Sequence, residues 1–65
     1  MGKLEEAVKT YRQAFSFNPD NVDTLNNLGV ALFEFGETDE AVDTIKKAIL
    51  ISPDDENSYL KLSEI

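Results

Sequence analysis

Apolar residues recur three or four positions apart along almost the whole chain. Leu4, Ala7, Val8, Tyr11, Ala14 and Phe15 form one series, Leu25, Leu28, Leu32 and Phe35 a second, and Ala41, Ile45, Ala48 and Ile49 a third. This is the spacing of one apolar stripe on an α-helix, and no stretch sustains the alternation of a half-buried strand. Breakers fall between the series: Asn18-Pro19-Asp20-Asn21, then Gly36-Glu37, then Ser52-Pro53-Asp54-Asp55. Proline cannot continue a helix and pushes the residue before it into an extended conformation. The pattern therefore predicts an all-α chain with helices over 3–17, 22–35, 38–51 and 55–64. Asp20, Asp54 and Asp55 suit helix N-termini, where a carboxylate caps free amides and complements the macrodipole.

The pattern also repeats. An offset of 34 residues lays Gly2 on Gly36, Glu6 on Glu40, Ala7 on Ala41, Val8 on Val42, Thr10 on Thr44, Ala14 on Ala48, Pro19 on Pro53, Asp20 on Asp54 and Leu28 on Leu62. Arg12 falls on Lys46 and Phe15 on Ile49 as conservative pairs. One stretch, LNNLGVALFEFG at 25–36, sets two asparagines and a glycine inside a predicted helix. Glycine there costs about 1 kcal/mol against alanine, so close packing of a neighbouring helix at Gly29 is the expected compensation.

These residues resemble the tetratricopeptide repeat (TPR), a helix-turn-helix unit of about 34 residues. With Val22 as the first residue of a unit, the family's small, apolar and proline slots hold Leu25, Leu28, Gly29, Leu32, Ala41, Ile45, Ala48 and Pro53. The half-unit before it fills matching slots with Ala7, Tyr11, Ala14 and Pro19. The half-unit after it offers Tyr59 and Leu62, but Ser63 stands where the glycine would be. The resemblance implies antiparallel helical hairpins of a right-handed solenoid, about one and a half to two repeats. It divides the single segment 1–65 into the second helix of a preceding repeat (2–21), a complete repeat (22–55) and the first helix of a following one (56–65). Gly29 is then expected to meet Ala41 where the two helices of the complete repeat cross.

Composition narrows the function. The chain has 65 residues, a net charge of −7 and neither cysteine nor histidine. Disulfides and the usual zinc sites are excluded. A strongly acidic surface without a basic stripe disfavours nucleic acid and anionic membranes, and favours a neutral or basic peptide. No apolar run approaches the roughly 20 residues of a membrane span, and MGKLEEAVK has no signal-peptide core; a cytoplasmic setting is expected. No nucleophile motif or glycine-rich phosphate loop is present, and SPDDENS lacks the spacing of a calcium loop. The expectation is no enzyme, no metal and no cofactor.

In the TPR family the first helix of each unit lines a concave groove. By that resemblance the groove positions are Asp23, Asn26, Asn27, Val30, Phe33 and Glu34, followed by Asn57, Leu60, Lys61 and Glu64. Asn27 occupies the slot before the Leu-Gly pair, where an amide can donate to a peptide carbonyl and accept from a peptide N–H at once. A clamp for a terminal carboxylate would need more cations than Lys61, and Asp23 and Glu34 would repel such an end. Phe33 is expected to face the groove and Phe35 to pack against a helix. The resulting expectation is a protein-interaction module with Asn27, Asn26, Phe33 and Lys61 foremost. Alternatives are a self-assembling homo-oligomer held through Leu4, Tyr11, Leu60 or Leu62, and an accessory segment of a larger enzyme such as a glycosyltransferase.

Overall fold

The computed structural model describes residues 2–65 and holds α1 (Gly2–Phe17), α2 (Val22–Glu34), α3 (Thr38–Ile51) and α4 (Glu56–Glu64). The expected all-α order is present, and every helix end lies within one residue of the sequence-based boundary.

The two proline turns are built alike. After α1, the Asn18 N–H donates to the Ala14 carbonyl (3.0 Å) and the Asn21 N–H to the Asn18 carbonyl (3.1 Å). After α3, the Ser52 N–H donates to the Ala48 carbonyl (2.9 Å) and the Asp55 N–H to the Ser52 carbonyl (3.1 Å). The 34-residue offset of the sequence thus reappears as backbone geometry. The caps are the residues that leave these turns. Asn21 (ψ 107°) accepts from the Thr24 N–H at 3.1 Å, and Asp55 (ψ 104°) accepts from the Asn57 N–H at 2.9 Å. Asp55 caps as expected. Asp20 and Asp54 lie inside the turns instead, one residue before the extended backbone that capping requires.

The turn from α2 to α3 differs. The Glu37 N–H reaches back to the Leu32 carbonyl (2.8 Å) and the Gly36 N–H to the Phe33 carbonyl (3.1 Å). This pair of bonds is the Schellman closure of a helix, which puts the residue after the C-cap in the left-handed region. Gly36 sits there with φ 96°.

α2 packs most extensively against α3, then against α1, while α4 rests on α3 and more lightly on α2. The core follows that order. Leu25, Leu28, Ala31 and Leu32 of α2 and Ala41, Ile45 and Ala48 of α3 are buried, whereas α1 contributes only Val8 among the buried apolar residues. Each fully buried large side chain, such as Leu32 or Ile45, stabilises the fold by about 1.5–3 kcal/mol. Ala7, Tyr11 and Ala14 of α1 stay half-buried, and Tyr11 and Ile65 pack onto the edge of the core. The Cα radius of gyration is 10.8 Å, close to the roughly 10.7 Å of a compact chain of this length.

Gly29 lies at the tightest contact between α2 and α3. A Cβ added there would stand 2.4 Å from Ile45 Cγ1 and 2.9 Å from Ile45 Cδ1, with the Ala41 carbonyl oxygen at 3.4 Å. The small residue is needed chiefly for Ile45, one turn beyond the Ala41 contact expected from the sequence.

Two glycine substitutions separate the two reasons for glycine. Gly29→Ala should lower stability in urea by about 1–3 kcal/mol through overpacking, despite its better helix propensity; a midpoint at or above wild type would show that Ile45 yields freely. Gly36→Ala has no neighbour to strike within 4 Å, so it should cost only the left-handed backbone penalty of about 1–2 kcal/mol. Circular dichroism melts that leave Gly36→Ala unchanged would contradict the closure described for that turn.

Candidate functional site

α2 and α4 leave a polar cleft of about 340 Å³ between them, lined by Asp23, Asn26, Asn27, Asn57 and Lys61. The cleft exists because α4 is held to α2 at one buried polar point. Ser58, fully buried, donates from its hydroxyl to Asn26 Oδ1 at 3.1 Å, and Asn26 itself is only 5% exposed. No buried side-chain nitrogen or oxygen among the described residues lacks a partner. Asn26 therefore forms the floor of the cleft and joins its two walls. Asn27, the next residue, is exposed, as are Asp23 and Asn57, while Lys61 is half-buried.

The lining is chemically mixed: three carboxamides, one carboxylate and one ammonium. Amides can pair with both the N–H and the C=O of an extended peptide. Asp23 and Lys61 add opposite charges within the same cleft, so a single isolated charge on a ligand gains little net attraction from the pair.

The other sequence-derived groove residues lie outside this cleft. Val30 is half-buried farther along α2, and Glu34 is exposed at its end. Leu60 and Glu64 are exposed on α4. Phe33 keeps 39% of its surface exposed and Phe35 keeps 46%. Phe35 was expected to pack against a helix. It lines a second cleft of about 460 Å³ with Val8, Arg12, Leu32 and Glu37, but α1 covers it on one side only, because it is the C-cap residue where α2 ends.

Two contacts carry geometry that the sequence pattern did not single out. One is Ser58, whose only signal was a small polar residue four positions before the apolar Leu62. The other joins α1 to α3, whose Cα atoms nowhere come within 8 Å of each other. Arg12 Nη2 lies 2.8 Å from Glu40 Oε2 and 3.0 Å from Oε1. The hydrogen bond that Arg12 donates to Glu40, more than the charge of Glu40 alone, raises the Arg12 pKa above its ordinary value. Both side chains are about half exposed, which places the pair in the range of about 0–1 kcal/mol. Because the shift is upward on a base, the arginine's contribution is present below its usual range and is lost as pH rises through the raised value.

The Asn26–Ser58 bond is open to a direct test. Asn26→Ala leaves the buried Ser58 hydroxyl without a partner, and should destabilise by about 1–3 kcal/mol. Adding Ser58→Ala should recover part of that loss. Additive losses in a urea double-mutant cycle would show that the two groups do not interact.

Among the described residues no group of three or more histidine, cysteine, aspartate or glutamate side chains could hold a metal ion, and no helix is long and apolar enough to cross a membrane. Residues 1–36 match the family described as TPR repeat, and residues 22–55 match that described as Tetratricopeptide repeat. The chain is 28% identical over 65 residues to "Protein CTR9 homolog" of Arabidopsis thaliana, covering all of this chain and 6% of that protein. It is 40% identical over 62 residues to "Protein POLLENLESS 3-LIKE 2" of Arabidopsis thaliana, covering 91% of this chain and 14% of that protein. The chain thus spans a small part of the length of either relative. The paired helices, the Gly29 contact and these matches together place the chain in the tetratricopeptide repeat family, a non-catalytic helical scaffold for protein interactions.

Proposed function

We propose that this chain binds an extended segment of a partner protein in the cleft between α2 and α4. The observation that carries this reading is the exposed pair Asn27 and Asn57, set on facing walls above a floor that Asn26 and Ser58 have already closed. On this reading 22–55 is one complete repeat, 2–21 ends the repeat before it, and 56–65 opens the next. Asn27 and Asn57 pair with the ligand backbone, while Asp23 and Lys61 select side chains of opposite charge. Phe33, exposed farther along α2, provides an apolar contact for a longer ligand. The net charge of −7 favours a neutral or basic segment, and a cytoplasmic partner fits this reading.

Self-association is the second reading. It is favoured by Tyr59 and Leu60, which expose 49% and 54% of their surface on the short α4. Sedimentation equilibrium over a range of concentrations separates the two: a monomer that binds peptides supports the first, and a dimer whose peptide binding falls as it forms supports the second.

Peptides selected from a random library against the chain provide the ligands for the central test. Asn27→Ala should weaken their binding by about 1–2 kcal/mol, roughly 5–30-fold, in calorimetry, with helicity unchanged. Equal affinity for wild type and variant would remove Asn27 from the site.

A further inference from the structure

A third cleft, apolar, lies among the ends of α1, α2 and α3. Phe15 of α1, Pro19 of the following turn, Leu25 of α2, and Lys47, Leu50 and Ile51 of α3 surround a space of about 210 Å³. It shares no lining residue with the polar cleft. All of its walls belong to α1, the α1–α2 turn, α2 and α3. Leu50 nevertheless exposes 81% of its surface and Ile51 exposes 42%. The volume is below the roughly 300–1,000 Å³ of small-molecule sites and suits one large side chain used as an anchor.

The one charged side chain in its lining is a cation, on a chain whose net charge is −7. From Thr44 to Pro53 the sequence holds Lys46 and Lys47 and no acid. The Lys47 ammonium stands 6.0 Å from the centroid of the Phe15 ring, at the lip of the cleft. The ion pair described for this chain joins Arg12 to Glu40; among the described residues Lys47 has no carboxylate within ion-pairing distance. Lys47 is the one charged residue lining the cleft, although Asp43 stands one turn before it on α3 and Glu40 lines the adjoining space, so the carboxylate of a ligand seated here meets the ammonium directly.

We propose that this cleft is a second protein-docking site, which takes a large apolar side chain flanked by carboxylates. The apolar residue enters between Phe15, Leu25 and Leu50, and a flanking carboxylate pairs with Lys47. The site therefore selects ligands of the opposite charge to those favoured by the polar cleft, and one chain can hold two different segments at once.

The test uses nitrogen-15-labelled chain with two peptides, acetyl-Glu-Leu-Phe-Glu-amide and its charge-reversed twin acetyl-Lys-Leu-Phe-Lys-amide, each titrated to about 1 mM. The acidic peptide should shift the amides of Phe15, Lys47 and Leu50, and the basic twin should leave them in place. Lys47→Glu should reverse that preference, and Leu50→Ser should weaken the acidic peptide about fivefold or more. Both positions are exposed, so a helical circular dichroism spectrum is expected for each variant. Asn27→Ala should have no effect on these shifts. The proposal is overturned if the acidic peptide shifts nothing, if both peptides shift the cleft equally, or if the shifts fall only on Asn27, Asn57 and Lys61. It is also overturned if raising the chain concentration alone moves the same amides, because the occupant would then be a second copy.

Discussion

The close approach of α2 and α3 at Gly29 governs the rest of the molecule. Ile45 occupies the space that any side chain at position 29 would need. With that space free, the two helices bury Leu25, Leu28, Leu32, Ala41, Ile45 and Ala48 against one another. α1 packs on α2, and α4 packs on both α3 and α2. α1 adds the buried Val8 and the Arg12–Glu40 contact, and α4 adds Ser58. Separating α2 from α3 by the width of a methyl group would shift both attachments and the clefts they border.

The two attachments differ in kind. α1 meets α2 through apolar packing and reaches α3 by an exposed ion pair, which is tolerant of small displacements. α4 meets α2 at a buried hydroxyl and amide, which tolerate very little, because a hydrogen bond stretched in a dry site loses its value while the desolvation cost remains. The position of Asn57 and Lys61 relative to Asn27 is therefore set by a directional bond rather than by shape alone. That gives the polar cleft a defined width from very few residues.

Much of the fold was legible from the sequence because its signals are local. Apolar spacing and two proline turns place four helices without knowledge of what they touch, and the 34-residue offset identifies the repeating unit. Capping was legible only in part: Asp55 was recognised, but Asn21 caps α2 where Asp20 had been the candidate, since the choice depends on which residue first leaves the turn. The cleft was less legible. Asp23, Asn27, Asn57 and Lys61 come together in it, but the role of Asn26 depends on the rotation of α4 that brings Ser58 inward, which no spacing within α2 reveals. The reach from Arg12 to Glu40 likewise depends on the distance between two helices that do not adjoin in sequence. Phe35 shows the limit of the apolar stripe: its phase points inward, but it stands at the end of the helix, where there is little left to cover it.

The shallow seating of α4 has a dynamic consequence. Like α1, it buries a single side chain, so its amides are expected to open more readily than those of the central pair α2 and α3. One wall of the polar cleft thus belongs to the central pair, and the other to a helix expected to open sooner. A bound segment that touches Asn57 and Lys61 would hold α4 in place, and part of its binding free energy would be used to order that helix. Affinity at this cleft is then coupled to whatever further chain or partner steadies α4, while the apolar cleft beside Lys47, walled by α1 and α3, is independent of it.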